Sequence, residues 1–241
     1  MNKILFIVFF GSLISLIGTM IGASFGVMLK KPTDRMLGAL IGFAGGIMLS
    51  VVVFDLIPEA IQSWSLIGTL IFSSLGILTV TAFDFFLGSK KFGSNKKLKV
   101  AFMAGLGMMI HNLPEGVIMG CGFVSSSTLG IKMSLIIAIH DIPEGIAVSA
   151  PMIASKMSIL KTLFYTLCTA LPTAVGVWIG AYIGGISENI LAACMAYASG
   201  IMLYIVCGEM LPESSKLWDG ITSTLGTLFG IVLGLIMTKV I

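Results

Sequence analysis

The sequence predicts an all-α integral membrane protein of eight transmembrane helices arranged around an inverted internal repeat. Three observations carry that expectation. Hydrophobic residues make up 57% of the 241 positions and charged residues 10%, whereas a water-soluble domain carries about 25% charged residues. That is too little charge to cover a surface facing water. The apolar positions fall into eight stretches, each near the roughly 20 residues a helix needs to cross hydrocarbon. Part of the second stretch also recurs in the seventh at one fixed spacing. No alternating pattern suggests a barrel, and in lipid a helix pairs its backbone groups within itself.

The first span, 4–28, is too long for the apolar core of a signal peptide, and Lys30 and Lys31 follow it as a stop-transfer flank. The others are expected at 36–57, 66–88, 100–122, 133–152, 162–184, 190–211 and 221–241, making residues 1–241 a single transmembrane domain. Numbering the polar breaks alternately puts Lys30, Lys31, Arg35, Lys90, Lys91, Lys96, Lys97, Lys99, Lys156, Lys161 and Lys216 on one side. Lys3, Lys132 and Lys239 are left on the other. Positive charge accumulates on the cytoplasmic side, so both termini face outward, with the plasma membrane as the expected location. The basic residues form no block suited to nucleic acid. Cys121, Cys168, Cys194 and Cys207 show no close pairing and read as small buried packing residues with free thiols. The 29 glycines would let helices approach closely and would also admit a homodimer.

The repeat joins spans two and seven. Gly-Ile-Met-Leu occupies 46–49 and again 200–203; Phe43 answers to Tyr197, Asp55 to Glu209, and Pro58-Glu59 to Pro212-Glu213, always 154 residues on. Four spans lie between, so the matched segments run in opposite directions. Inverted repeats of this kind occur in transporters, with the substrate near the midplane. On that reading Asp55 and Glu59 mark an outer mouth, and Glu209 and Glu213 an inner one. The plainer alternative is that these acids flank helix ends in water.

Spans four and five carry the chemistry. His-Asn-Leu-Pro-Glu-Gly at 111–116 recurs as His-Asp-Ile-Pro-Glu-Gly at 140–145. A charge at the centre of a spanning helix costs about 2.5–3.5 kcal/mol on the insertion scale, so Glu115, Asp141 and Glu144 need partners. Residues four apart share a helix face. His111, Asn112 and Glu115 therefore lie together, as do His140, Asp141 and Glu144, and two such helices facing each other offer up to six nitrogen and oxygen donors. Pro114 and Pro143 cannot donate to the carbonyls of Ile110 and Ile139, which leaves an acceptor beside each motif. Imidazole with carboxylate suits Zn²⁺, Fe²⁺, Mn²⁺, Co²⁺ and Ni²⁺; Mg²⁺ and Ca²⁺ prefer oxygen alone. Met48 is either a thioether ligand or an ordinary core methionine. The ion is read as cargo, and no cofactor is expected. The rival readings are a proton-coupled or proton-conducting carrier for a non-metal solute, and a structural polar cluster. An intramembrane metalloprotease would need His-Glu-x-x-His, which neither motif has, so an enzyme is not expected.

The paired motifs, with Asp-Leu-Ile-Pro-Glu at 55–59 and Glu-Met-Leu-Pro-Glu at 209–213, resemble the signatures of the ZIP (Zrt-, Irt-like protein) family of metal transporters. They are similar to its bacterial zinc-permease and GufA-like branch. The resemblance covers essentially the whole chain. It implies an eight-helix bundle with both ends outside that moves divalent metal, Zn²⁺ above all and Cd²⁺ among the others, into the cytosol. It also implies a site between spans four and five, often with two adjacent metal positions sharing carboxylates. His111, Asn112, Glu115, His140, Asp141 and Glu144 match that pattern, and Met48 falls where the second span often supplies a ligand. Two departures stand out. Leu171 precedes Pro172 where members of this branch often carry a glutamate, and the loop between spans three and four has lysines in place of histidines.

Overall fold

The computed structural model describes residues 2–29, 32–87, 96–183 and 187–240, the side chains of 2–5, 83, 84, 86, 87, 96–104, 125, 140, 188 and 240 excepted. The described residues form eight helical rods and no strand. These are α1 (Asn2–Met28); α2 (Asp34–Val51, continuing through a π turn at Val52–Leu56 into Ile57–Ser63); α3 (Leu66–Leu87); and α4 (Lys96–Ser125). They continue with α5 (Ser127–Ala154); α6 (Ile159–Ile183); α7 (Glu188–Tyr204, a π turn at Ile205–Met210, then Leu211–Leu217); and α8 (Ile221–Val240). Among the described residues six helices are long and apolar enough to cross a membrane, and Leu66–Ala82 is a shorter apolar one. The chain is a multi-pass membrane protein.

Local chemistry sets the helix boundaries. The Thr33, Ser126 and Ser187 side chains accept from the backbone N–H groups of Met36, Leu129 and Asn189, capping α2, α5 and α7. Beyond α5 the backbone turns through Lys156 at φ 68°. Spans two and seven were expected to stop near 57 and 211; both rods run on to Ser63 and Leu217, with Pro58-Glu59 and Pro212-Glu213 inside the helix. The π turns explain how. Proline has no N–H to give the carbonyl four residues back. The ladder shifts by one just before it, and Ile57 N–H donates to Val52 O as Leu211 N–H does to Val206 O. The two shifted hydrogen bonds are 154 residues apart, as are the prolines.

The rods sort into two groups. One holds α1, α4, α5 and α6, with α1 packed on α5 and α6, and α4 on α5 and α6. The other holds α2, α3, α7 and α8, with α2 on α8, α3 on α7, and α2 on α7. The groups meet chiefly where α2 passes α5 and α4 passes α7. A core of Ile41, Ile47, Met48, Val52, Met195, Ile201 and Met202 fills the second group and reaches Ile118 and Ala147 of the first.

Glycine sets the closest approaches. A Cβ on Gly145 would strike the Thr19 carbonyl of α1, and one on Gly116 the Thr173 carbonyl of α6. In the other group Gly46 lies against the Thr227 carbonyl of α8, and Gly200 against the Ser73 carbonyl of α3. Cysteine burial differs from expectation. All four are free thiols, but only Cys121 is buried; Cys168 and Cys194 are half-buried and Cys207 is exposed, because it lies on the outer side of the α7 π turn.

Candidate metal centre

Five buried donors of the two motifs are placed by α4 and α5 with help from α1 and α6. His111, Asn112 and Glu115 of α4 and Asp141 and Glu144 of α5 are each no more than 3% exposed. His111 Nδ1 lies 3.0 Å from the Gly107 carbonyl one turn back. A carbonyl only accepts, so Nδ1 carries the hydrogen and Nε2 is left to face outward from the helix. Nε2 lies 3.1 Å from Glu144 Oε2, which joins the two motifs across the helix interface.

The two short oxygen donors are held from outside the motifs. Asn112 Nδ2 donates to the Thr169 carbonyl of α6 at 2.9 Å, which fixes the amide orientation and leaves Oδ1 without a hydrogen-bond partner among the described residues. Asp141 Oδ2 accepts from Ser15 Oγ of α1 at 2.6 Å. Glu144 Oε1 is likewise buried without a hydrogen-bond partner among the described residues. Buried oxygens of that kind are costly unless something arrives to satisfy them, as a cation would.

His140 belongs to α5, and its side chain lies outside the described residues. Among those described, no three His, Cys, Asp or Glu side chains gather closely enough to hold an ion alone. Met48 is 1% exposed within the apolar core of α2 and α7. Asp55 and Glu209 sit half-buried in the two π turns; Glu213 is half-buried and Glu59 exposed one turn further on, Glu59 accepting from Ser63 Oγ at 3.2 Å. Leu171 does not stand in for a ligand. It is 49% exposed, while Thr169 and Thr173 on either side of it face inward at 1% each.

Ser15, the Thr169 carbonyl and Gly107 escaped the sequence reading. A signal for the first existed: Ser12, Ser15 and Thr19 recur every three or four residues on an otherwise apolar helix, which is one face of α1.

The family model described as "ZIP Zinc transporter" matches residues 89–238. The chain is 32% identical over 234 residues to the zinc transporter ZupT of Salmonella paratyphi A, covering 90% of each. It is 30% identical over 226 residues to ZupT of Shigella flexneri serotype 5b, covering 88% of each. The chain belongs to the ZIP zinc transporter family. The motifs of α4 and α5 are joined by the His111–Glu144 contact. The family's members are membrane transporters and not enzymes, which excludes the protease reading.

Proposed function

We propose that the protein carries a divalent metal ion, zinc first, across the plasma membrane into the cytosol by alternating access. The ion is held between α4 and α5 by His111, Asn112, Glu115, His140, Asp141 and Glu144. Fe²⁺, Mn²⁺, Co²⁺, Ni²⁺ and Cd²⁺ suit the same mixed donors. The observation that carries this reading is the buried His111–Glu144 contact, which puts donors from both motifs at one point. Family membership supports the same reading, and the proton-coupled carrier of a non-metal solute is not favoured.

All eight rods cross the membrane in this proposal, with both termini outside and the chain as one transport domain. The inverted repeat relates α1, α2 and α3 to α6, α7 and α8, and α4 to α5. Its support lies in matched contacts. Exchanging each helix for its equivalent turns the α2–α8 packing into α7–α3, α1–α5 into α6–α4, and α2–α5 into α7–α4, all of which occur. Gly46 on Thr227 becomes Gly200 on Ser73 at the 154-residue offset, and Gly145 on Thr19 becomes Gly116 on Thr173.

The donors ride on the group of α1, α4, α5 and α6, while Asp55, Glu59, Glu209 and Glu213 belong to the other. Relative movement of the two groups at the α2–α5 and α4–α7 contacts opens the site to one side at a time. Asp55 and Glu59 lead in from outside; Glu209 and Glu213 lead out. Met48, on α2, completes the shell from the facing group. Gly18, Gly22 and Gly176 are packed within the chain, so a homodimer would form through other faces.

Purified protein in proteoliposomes should accumulate radiolabelled zinc. Proton flux or solute uptake without zinc uptake would establish the carrier of a non-metal solute in its place.

A further inference from the structure

Two helices outside the motifs carry stripes of buried hydroxyls: Ser12, Ser15 and Thr19 on α1, and Thr166, Thr169 and Thr173 on α6. Member by member they stand 154 residues apart. A hydroxyl on an apolar helix ordinarily donates back to a carbonyl of its own helix. Thr19 does so to Ser15 O at 3.3 Å, Thr166 to Thr162 O at 2.9 Å and Thr169 to Thr166 O at 2.7 Å. Ser15 departs from this. Its hydroxyl crosses the interface and donates to Asp141 Oδ2 at 2.6 Å, a length typical of charge-assisted O–H···O⁻ bonds.

The equivalent position on α6 holds the other short donor by the reverse chemistry. Asn112 has its own N–H and gives it to the Thr169 carbonyl. A carboxylate has none and must receive one. Positions 15 and 169 thus anchor the two oxygen donors that follow the motif histidines, each with the partner its donor requires.

We propose that Ser15 is a positioning residue of the cation site that sets its preference for zinc. By occupying Oδ2, it restricts Asp141 to one oxygen toward the ion. A carboxylate free to bind through both oxygens suits cations with larger oxygen shells, such as Mn²⁺ or Ca²⁺; zinc is commonly four-coordinate. The inference rests on the proposed reading of Asp141 as a metal ligand.

The test uses full-length protein in proteoliposomes, with initial rates of Zn²⁺ and Mn²⁺ uptake, and equilibrium Zn²⁺ binding to the purified protein. Outer-shell partners of metal ligands carry about 10–100-fold in affinity. Ser15→Ala should raise the zinc KM about tenfold, keep the maximal rate within about twofold and lower the preference for Zn²⁺ over Mn²⁺. Ser15→Thr, which keeps the hydroxyl, should restore both. Ser12→Ala, on the same stripe, should change neither. In an Asp141→Asn background, Ser15→Ala should alter zinc affinity by less than about twofold. A wild-type KM and Zn²⁺/Mn²⁺ ratio in Ser15→Ala overturns the positioning role and leaves the metal site standing. So does an equal effect of Ser15→Ala with and without the Asp141 carboxylate. Wild-type zinc affinity in Asp141→Asn overturns both.

Discussion

His111 Nε2 and Glu144 Oε2 lie 3.1 Å apart, joining the histidine of the α4 motif to the glutamate of the α5 motif. Neither side chain reaches water, as both are buried. Removing one leaves the other without its counterpart in the bundle interior.

Glu144→Ala should therefore abolish zinc uptake, with a loss beyond the roughly 10–100-fold associated with outer-shell partners. Membrane insertion and elution as a single species should be unchanged, because the α1–α5 and α4–α6 packing that holds both helices is untouched. Zinc uptake at the wild-type rate by this variant would remove Glu144 from the site.

The same pair sets a pH dependence. His111 Nδ1 keeps its hydrogen for the Gly107 carbonyl, so an Nε2–carboxylate contact needs one proton between the two atoms. A cation in that place displaces the proton. Zinc binding should release it and should weaken as pH falls. Calorimetric titration in two buffers of different ionisation enthalpy measures the release; identical heats in both would contradict this account.

Asn112→Asp isolates the anchor on α6. The substitution keeps size and replaces the Nδ2 donor with an oxygen facing the Thr169 carbonyl, now 2.9 Å from a donor. Two acceptors buried face to face cost about 1–3 kcal/mol. The variant should unfold at lower temperature than wild type in detergent, as read by thermal unfolding followed by size exclusion. An unchanged midpoint would show that the contact contributes nothing.

Gly145→Ala tests the packing that brings α1 to the site. Its Cβ would meet the Thr19 carbonyl, whereas one on Gly208 of the α7 π turn would find the Tyr204 ring at 3.5 Å, an ordinary contact. Overpacking against backbone costs about 1–3 kcal/mol. Gly145→Ala should lower the folded yield and the unfolding temperature, and Gly208→Ala should not. Equal stability of the two variants would refute the close α1–α5 approach.

The legible and illegible parts of this chain divide along a physical line. The duplicated motif is local: histidine and glutamate four apart declare one face of a helix, and the structure buries His111, Glu115 and Glu144 of those faces. The 154-residue offset was readable between α2 and α7 because Gly-Ile-Met-Leu and the two prolines are identical in both. Between α1 and α6 it was not, since the residues the proposed repeat pairs share only small size and a hydroxyl, as Ser15 does with Thr169. Long-range partners were also hidden. The Ser15–Asp141 bond spans 126 residues, and no helical period predicts which rod of a bundle will lie beside which. Exposure around Pro172 was hidden as well: Leu171 is 49% exposed, while Thr169 and Thr173 face inward.

Zinc-edge anomalous diffraction from crystals of the zinc-loaded protein tests the central claim most directly. The account predicts a peak between α4 and α5, about 2.0–2.1 Å from His111 Nε2 and about 2.0–2.2 Å from a Glu144 oxygen, with the direct contact between those two side chains replaced by the ion. A peak elsewhere, with the His111–Glu144 contact intact, would contradict it.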